Sequence, residues 1–454
     1  MRKTRILCML LTIVLLFALV TACKTVDAPV PAPSPAPPEP TPEPPIEADE
    51  ESDSVTLYWA VWDSDTLSYY DLLIDAYKEI APDVTIKLVD FDKDGWNVNI
   101  LTHLIGKHDY DIINVLDIPG YTLHTGADML YPLNDFATAR GINSSDYMGI
   151  PEQLMIDGKF YALPFKCEFW VVYYNKDLFD ELEVAQQEVT RPEDTQPEVT
   201  RPNNQMTFDD WSEIIKETTR GRGDSKVWGN FFQTGLSATA LFGILDGRHT
   251  INDGNYDFLK PYYEAVITLE NGNFVPHRSD IIKGSLEYSD MWESGKIAQL
   301  NTGTWFRADA LDSGFNWGIA AYPVPAPANY GSTFGQVTQL AIPRSARHPE
   351  EAMNFIEFVT GTQGAEILAS VGHIPVLMTD AALNNLIDIP GFPKDETTRD
   401  ALRPKTLIIE QPPSEQADEI RAILNEIHAE IMDRKIDIDD GIALMNERVS
   451  ALLR

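Results

Sequence analysis

The chain has 454 residues, with 35 Lys and Arg against 70 Asp and Glu, giving a formal net charge of −35. A protein that tracks phosphates needs a basic face to displace counterions, so this balance excludes nucleic acid as a partner. At 44% hydrophobic and 10% aromatic residues the composition also excludes wholesale disorder, and it suits a globular body of roughly two or three domains.

Arg2, Lys3 and Arg5 precede an apolar run from Ile6 to Val20, broken only by Thr12, and Val20-Thr21-Ala22-Cys23 follows at once. The run is about 15 residues, short of the roughly 20 that span a membrane, so residues 1–22 read as a secretory signal. The Val-Thr-Ala-Cys end resembles a bacterial lipobox, which implies cleavage before Cys23 and lipidation of its thiol. An ordinary signal with an incidental cysteine is the alternative. With Cys8 leaving in the signal and Cys23 acylated, the exported body keeps Cys167 alone, and a single thiol cannot form an internal disulfide, so stability must come from core burial. Residues 24–54 hold ten prolines between Pro29 and Pro45 and an acidic run from Glu47 to Asp53. Fixed φ and charge repulsion make this an extended tether.

From Val55 the pattern becomes alternating strands and amphipathic helices, an α/β arrangement. Val55–Trp59 reads as a strand, residues 68–80 as a helix stopped by Ala81-Pro82, and Val84–Val89 as a second strand. Asp111–Leu116 reads as a short buried strand ending in the loop Asp117-Ile118-Pro119-Gly120, where open α/β sheets collect ligands. Glu188-Val-Thr-Arg-Pro192 recurs as Glu198-Val-Thr-Arg-Pro202. This polar repeat, about 187–204, reads as an expanded surface insert. Near the C-terminus Ile420, Ile423, Leu424, Ile427 and Ile431 fall at helical spacing, and Asp437 opens a last helix.

Searches for catalytic chemistry fail. Gly235-Leu-Ser-Ala-Thr239 lacks the final glycine of a nucleophile elbow, Gly221-Arg-Gly223 lacks the rest of a dinucleotide fingerprint, and there is no P-loop or paired Cys-x-x-Cys. The scattered histidines, His103 and His108 included, predict no transition-metal site. Asp90-Phe-Asp92-Lys-Asp94-Gly95 imitates a calcium loop, but Leu101 stands where a bidentate Glu belongs, so it reads as a solvated acidic turn. No metal or cofactor is therefore expected. Aromatics do cluster near loops: Trp59, Trp62, Trp228, Phe231, Phe232, Trp292, Trp305 and Trp317. Aromatic faces beside carboxylates and amides suit a sugar, whose C–H face stacks while its hydroxyls hydrogen-bond, although core packing explains most tryptophans equally well.

Asp157-Gly-Lys-Phe-Tyr-Ala-Leu-Pro164, Val171-Val-Tyr-Tyr-Asn-Lys-Asp-Leu-Phe179 and Thr207-Phe-Asp-Asp-Trp211 follow one another in order. After them come Trp292-Glu-Ser-Gly-Lys-Ile-Ala298, Gly303-Thr-Trp305, Tyr322-Pro-Val-Pro325, Ile342-Pro-Arg-Ser345 and Gly372-His-Ile-Pro375. This series resembles bacterial extracellular solute-binding proteins of the maltose-binding type, the receptor lipoproteins of sugar ABC importers. The resemblance implies a two-lobed periplasmic-binding-protein-like α/β fold with an interlobe ligand cleft and a hinge. Lobe one is expected at 55–165 plus 319–357, and lobe two at 166–318 plus 358–454. It implies a monomeric, non-enzymatic receptor on the extracytoplasmic face of the membrane, lipid-anchored through Cys23. Its partners would be a small-molecule carbohydrate, most simply an oligosaccharide, and the transmembrane subunits of an ABC permease. By the same resemblance the ligand contacts are Trp62, Asp63 and Ser64 after the first strand, Asp117 on the next strand's loop, Glu168, Trp305, and Gly335 with Gln336, joined by Trp228 and Phe232. Two other readings stay open: a secreted carbohydrate-active enzyme using cleft carboxylates such as Asp117 and Glu168, and a binding protein turned sensor or scaffold.

Overall fold

The computed structural model describes residues 54–189, 200–284 and 286–454. The signal, Cys23 and the tether lie outside the described residues, as does most of the repeat. The helix Lys176–Val189 runs into the first copy of that repeat, and Arg201 in the second copy pairs with Asp180 and Glu183.

The chain opens with β1 (Val55–Trp62), α1 (Tyr69–Ile80) and β2 (Val84–Phe91). α1 forms because Tyr69, Tyr70, Leu73 and Tyr77 recur on one face and are buried there. Ala81, just before Pro82, ends it. α2 (Trp96–Ile105) starts from Gly95, whose φ of 74° is the left-handed conformation glycine adopts without strain. β3 (Ile112–Val115) is followed by α3 (Ile118–Gly126), capped by Asp117. β1 lies between β2 and β3, parallel to both, as the βαβ pattern requires. The expected strand over Asp111–Leu116 is thus β3, trimmed by one residue at each end.

β4 (Ala162–Asn175) is 14 residues long and serves two sets of partners. Its first half pairs antiparallel with β7 (Ser332–Ala341), which also borders β3. Its second half lies between β5 (Gln299–Gly303) and β6 (Trp317–Ala321), antiparallel to each. β8 (Thr406–Ile409) runs parallel to β7, giving one curled sheet in the order β2-β1-β3-β7-β4-β5 with β6 and β8 as branches.

Alternation along β4 decides which core each residue joins. Phe165, Cys167, Phe169, Val171 and Tyr173 belong to a core shared with β1, β3 and α1. Trp170, Val172 and Tyr174 join a second core with Trp211, Phe242 and Tyr263. The helices Ala417–Met432 and Ile438–Leu452 close that second core. Both match the C-terminal apolar spacing, and Asp437 caps the latter by accepting from the Asp440 amide at 2.8 Å. Thr207 and Asp210 form a capping box at Phe208–Thr218.

A buried polar network ties β1 to β3. Asn114, fully buried, accepts from Trp59 Nε1 at 2.9 Å and donates to the Tyr70 hydroxyl at 2.8 Å. At the other end of β3, Asp111 accepts from the backbone N–H of Tyr58 at 3.0 Å, Arg347 at 3.0 Å and His348 at 3.2 Å, joining three chain segments. Asp111→Ala would leave these amides without their acceptor. It is expected to lower stability by about 3 kcal/mol, read as a lower urea midpoint at unchanged slope.

Candidate functional site

A cleft of about 820 Å³ opens where β4 meets β7 and the β5 loop, lined by Trp62, Asp63, Lys93, Lys166, Glu168, Trp305, Arg307, Gln336, Thr338 and His373 among others. Its size falls in the range of roughly 300–1,000 Å³ typical of small-molecule sites. The period of two along β4 puts Lys166 and Glu168 on the cleft side while Cys167 turns inward, 2% exposed. Across the ladder Thr338 pairs with Lys166 and Gln336 with Glu168, which adds a hydroxyl and an amide to the same wall.

Glu168 is held by three hydrogen bonds from two side chains. Arg307 Nη1 donates to both carboxylate oxygens at 2.9 Å, and the Thr304 hydroxyl donates to Oε2. The Arg307 guanidinium is fixed in turn by the carbonyls of Thr304 at 2.7 Å and Gly372 at 2.5 Å. Glu168 is therefore a preoriented acceptor. Trp305 is 40% exposed and stands edge-on to Trp170 at 5.4 Å between centroids, a rigid apolar plate beside the polar wall. The Gly303-Thr-Trp305 motif has a steric reason: a Cβ on Gly303 would lie 1.9 Å from the Trp305 ring. Asp63 follows β1 with φ 51°, strained for a residue with a Cβ. Its carbonyl accepts from Thr66 and Leu67 at 3.1 and 2.9 Å, holding the turn at the cleft edge.

Lys166 is the least ordinary group here. Its ammonium donates to the Tyr69 hydroxyl at 3.2 Å and sits 4.9 Å from the Tyr69 ring centroid. Burial is the main reason its pKa falls to about 8; Lys93 and Arg307 push the same way, and Glu168 opposes them. His373, edge-on to Tyr69 at 4.9 Å, is kept neutral by burial and by the cations Lys166 and Arg307, which take it to about 3. Burial pushes the Cys167 thiol well up, consistent with an inert core cysteine.

The structure brings Trp62, Asp63, Glu168, Trp305 and Gln336 together on this cleft. Gly335 is buried in β7, and a Cβ there would lie 2.2 Å from the Glu168 carbonyl, so the residue serves strand approach. Ser64 donates its amide to Asp90 at 3.3 Å. Asp117 uses Oδ1 to accept from the Gly120 amide at 2.8 Å and Asn97 Nδ2 at 2.9 Å, capping α3. Phe232 is buried in the second core, and Trp228 lies under the Lys226 ammonium at 4.5 Å; neither lines the cleft. Of the other aromatics, Trp59, Trp292, Trp317 and Phe231 are buried. In the calcium-like loop Asp92 caps its own turn, accepting from the Asp94 amide at 2.9 Å, while Asp90 accepts from Ser64. Among the described residues no three His, Cys, Asp or Glu side chains converge as metal ligands.

Sequence reasoning missed Lys166, Arg307, Lys93 and His373. Lys166 was signalled by strand alternation, since a residue two before Glu168 must share its face. Arg307 reaches Glu168 across 139 positions of chain, and no local pattern announces that.

Lys166 also predicts a pH effect on stability. Between pH 8 and 10.5 the unfolded chain keeps this proton while the folded chain releases it, so this group's contribution to stability rises with pH across that window. Lys166→Met is therefore expected to raise Tm at pH 7. The gain should shrink as pH climbs from 8 to 10.5, as thermal unfolding at several pH values will show.

Residues 62–366 match the family model for bacterial extracellular solute-binding proteins. A sugar transporter from Rhizobium etli, solved in an open conformation, is 36% identical, with a TM-score of 0.81 over 88% of this chain and 100% of that one. The sugar-binding protein MalE of Xanthomonas citri shares the fold at 15% identity, with a TM-score of 0.71 over 88% of this chain and 97% of its own. A maltooligosaccharide ABC transporter solute-binding lipoprotein of Streptococcus pneumoniae is 23% identical over 232 residues, 47% of this chain and 48% of that protein. The chain thus spans about half the length of the curated relatives it matches. These likenesses identify the curled α/β sheet and its cleft as a two-lobed periplasmic-binding-protein fold with an interlobe hinge. The chain belongs to the bacterial extracellular solute-binding protein family.

Proposed function

We propose that this chain is a monomeric receptor, lipid-anchored through Cys23 on the extracytoplasmic face of a bacterial membrane, that closes two lobes on an oligosaccharide and delivers it to the transmembrane subunits of an ABC importer. The observation that carries this reading is the pairing in one cleft of an exposed tryptophan plate, Trp305, with a preoriented carboxylate, Glu168. A sugar ring needs both, a flat surface for its C–H face and fixed acceptors for its hydroxyls. The names of the relatives, which speak of sugar and maltooligosaccharide transport, support the same class.

Closure follows from where the contacts sit. Trp62 ends β1 and Asp63 follows it, whereas Trp305 and Arg307 follow β5, so a ligand touching both groups favours the conformation that brings them nearest. The lobe division of 55–165 plus 319–357 against 166–318 plus 358–454 is part of this proposal. The helix Thr362–Ser370 packs against α1, which would move the last crossing toward residue 372. A hydrolytic reading pairing Asp117 with Glu168 is not supported, because Asp117 is committed to capping α3 and lies off the cleft.

Isothermal titration against a panel of oligosaccharides tests the assignment. Trp305→Ala and Glu168→Gln are each expected to weaken binding by about tenfold or more, equivalent to about 1.4 kcal/mol. Affinity unchanged in both variants would refute the assigned site.

A further inference from the structure

The cleft carries a charge pattern at odds with the rest of the molecule. Three cations line it, Lys93, Lys166 and Arg307, against two carboxylates, Asp63 and Glu168, on a chain whose net charge is −35. The charge of Glu168 is already paired with Arg307, while its Oε1 keeps a lone pair for a ligand hydroxyl. Lys166 Nζ, with three donors to place, has the Tyr69 hydroxyl as its hydrogen-bond partner, and among the described residues no carboxylate lies within ion-pair distance of it. Aromatic rings flank it instead, Tyr69 at 4.9 Å, Phe165 at 5.7 Å and Trp62 at 5.9 Å.

A half-buried ammonium without its anion costs stability, and folds retain such violations where a ligand supplies the missing partner. The acidic surface would repel an anionic ligand at long range, so a compact group of cations inside a low-dielectric cleft is what such a ligand would require. A neutral sugar needs none of this, since Glu168, Gln336, Thr338 and Trp305 already provide for hydroxyls and ring faces.

We propose that the cleft is built for an acidic saccharide, with a uronate carboxylate of the ligand seated on the Lys166 ammonium beside Lys93. This deepens the carbohydrate reading and rests on it. A carboxylate is favoured over a sugar phosphate because the cations left unpaired in the cleft are ammonium groups. The bidentate guanidinium that phosphate recognition favours is here already spent on Glu168.

The test is a thermal-shift and calorimetric panel on the purified chain, with maltotriose, cellotriose and mannotriose as neutral probes, trigalacturonate and aldotriouronic acid as acidic ones, and glucose 6-phosphate as the phosphate arm. The best acidic probe is expected to bind about tenfold or more tighter than the best neutral one. Lys166→Gln should collapse that ratio toward one, whereas Lys166→Arg should retain most of it. In the unaltered chain the ratio should also fall as pH rises through about 8. The groups facing Lys166 are Asp63, Glu168, Lys93, Arg307, Tyr69 and His373. Of these, His373 is already neutral, and burial keeps the Tyr69 phenol protonated. Neutral probes binding as tightly as acidic ones, a ratio untouched by Lys166→Gln, or a preference for glucose 6-phosphate would each overturn the proposal while leaving the carbohydrate reading standing. Binding of no saccharide at all would overturn both.

Discussion

β4 cannot satisfy its backbone within one set of neighbours: Ala162–Phe169 bonds to β7, and Trp170–Asn175 lies between β5 and β6. The other edge of its first half is covered by the segment 374–376, through Cys167 N–H to the Ile374 carbonyl at 2.9 Å and Val376 N–H to the Phe165 carbonyl at 3.2 Å. The strand is therefore fixed along its length, and alternation does the rest. Odd-numbered residues from Phe165 to Tyr173 fill one core, while Lys166 and Glu168 are left facing the cleft. The register shift between Pro164 and Lys166 lies just before those two residues, the position in which bulges re-aim side chains. Gly335 belongs to the same constraint, since a side chain there would press on the Glu168 carbonyl and part β7 from β4.

The electrostatics of the cleft follow from that placement. Once β4 presents a carboxylate and an ammonium two residues apart, the carboxylate is neutralised from β5's side by Arg307, itself held by the Thr304 and Gly372 carbonyls. The ammonium receives a phenol hydroxyl and aromatic rings. The asymmetry leaves one wall rigid and satisfied, suited to hydroxyl recognition, and one cation desolvated. Preorganisation of this kind lowers the ordering cost of binding, and its structural penalty falls on the unliganded protein.

Much of this was legible in the residues. The opening βαβ could be read because α1 and the flanking strands obey their periods cleanly, and Asp437 announced a helix start through capping chemistry. Glu168 and Trp305 were reached through motif order rather than pattern. The expected contacts that lie off the cleft have a common cause. Asp117 and Gly335 lie near the cleft in sequence terms, but one is committed to a helix cap and the other to a strand contact, and both roles depend on partners unknown before folding. Phe232 joins the second core for the same reason. Lys166 and Arg307 escape a local reading because only long-range packing sets one against Tyr69 and makes the other a clamp on Glu168.

The proposed function places ligand between Trp305 and the β4 wall, touching both lobes. The most direct measurement is a crystal structure of the chain with an oligosaccharide that binds in calorimetry. A ring stacked on Trp305 is expected, with hydroxyls at Glu168 and Gln336 and the β1 end at Trp62 and Asp63 drawn toward them. A ligand lodged elsewhere, with the Glu168–Arg307 pair and Trp305 left bare, would contradict it.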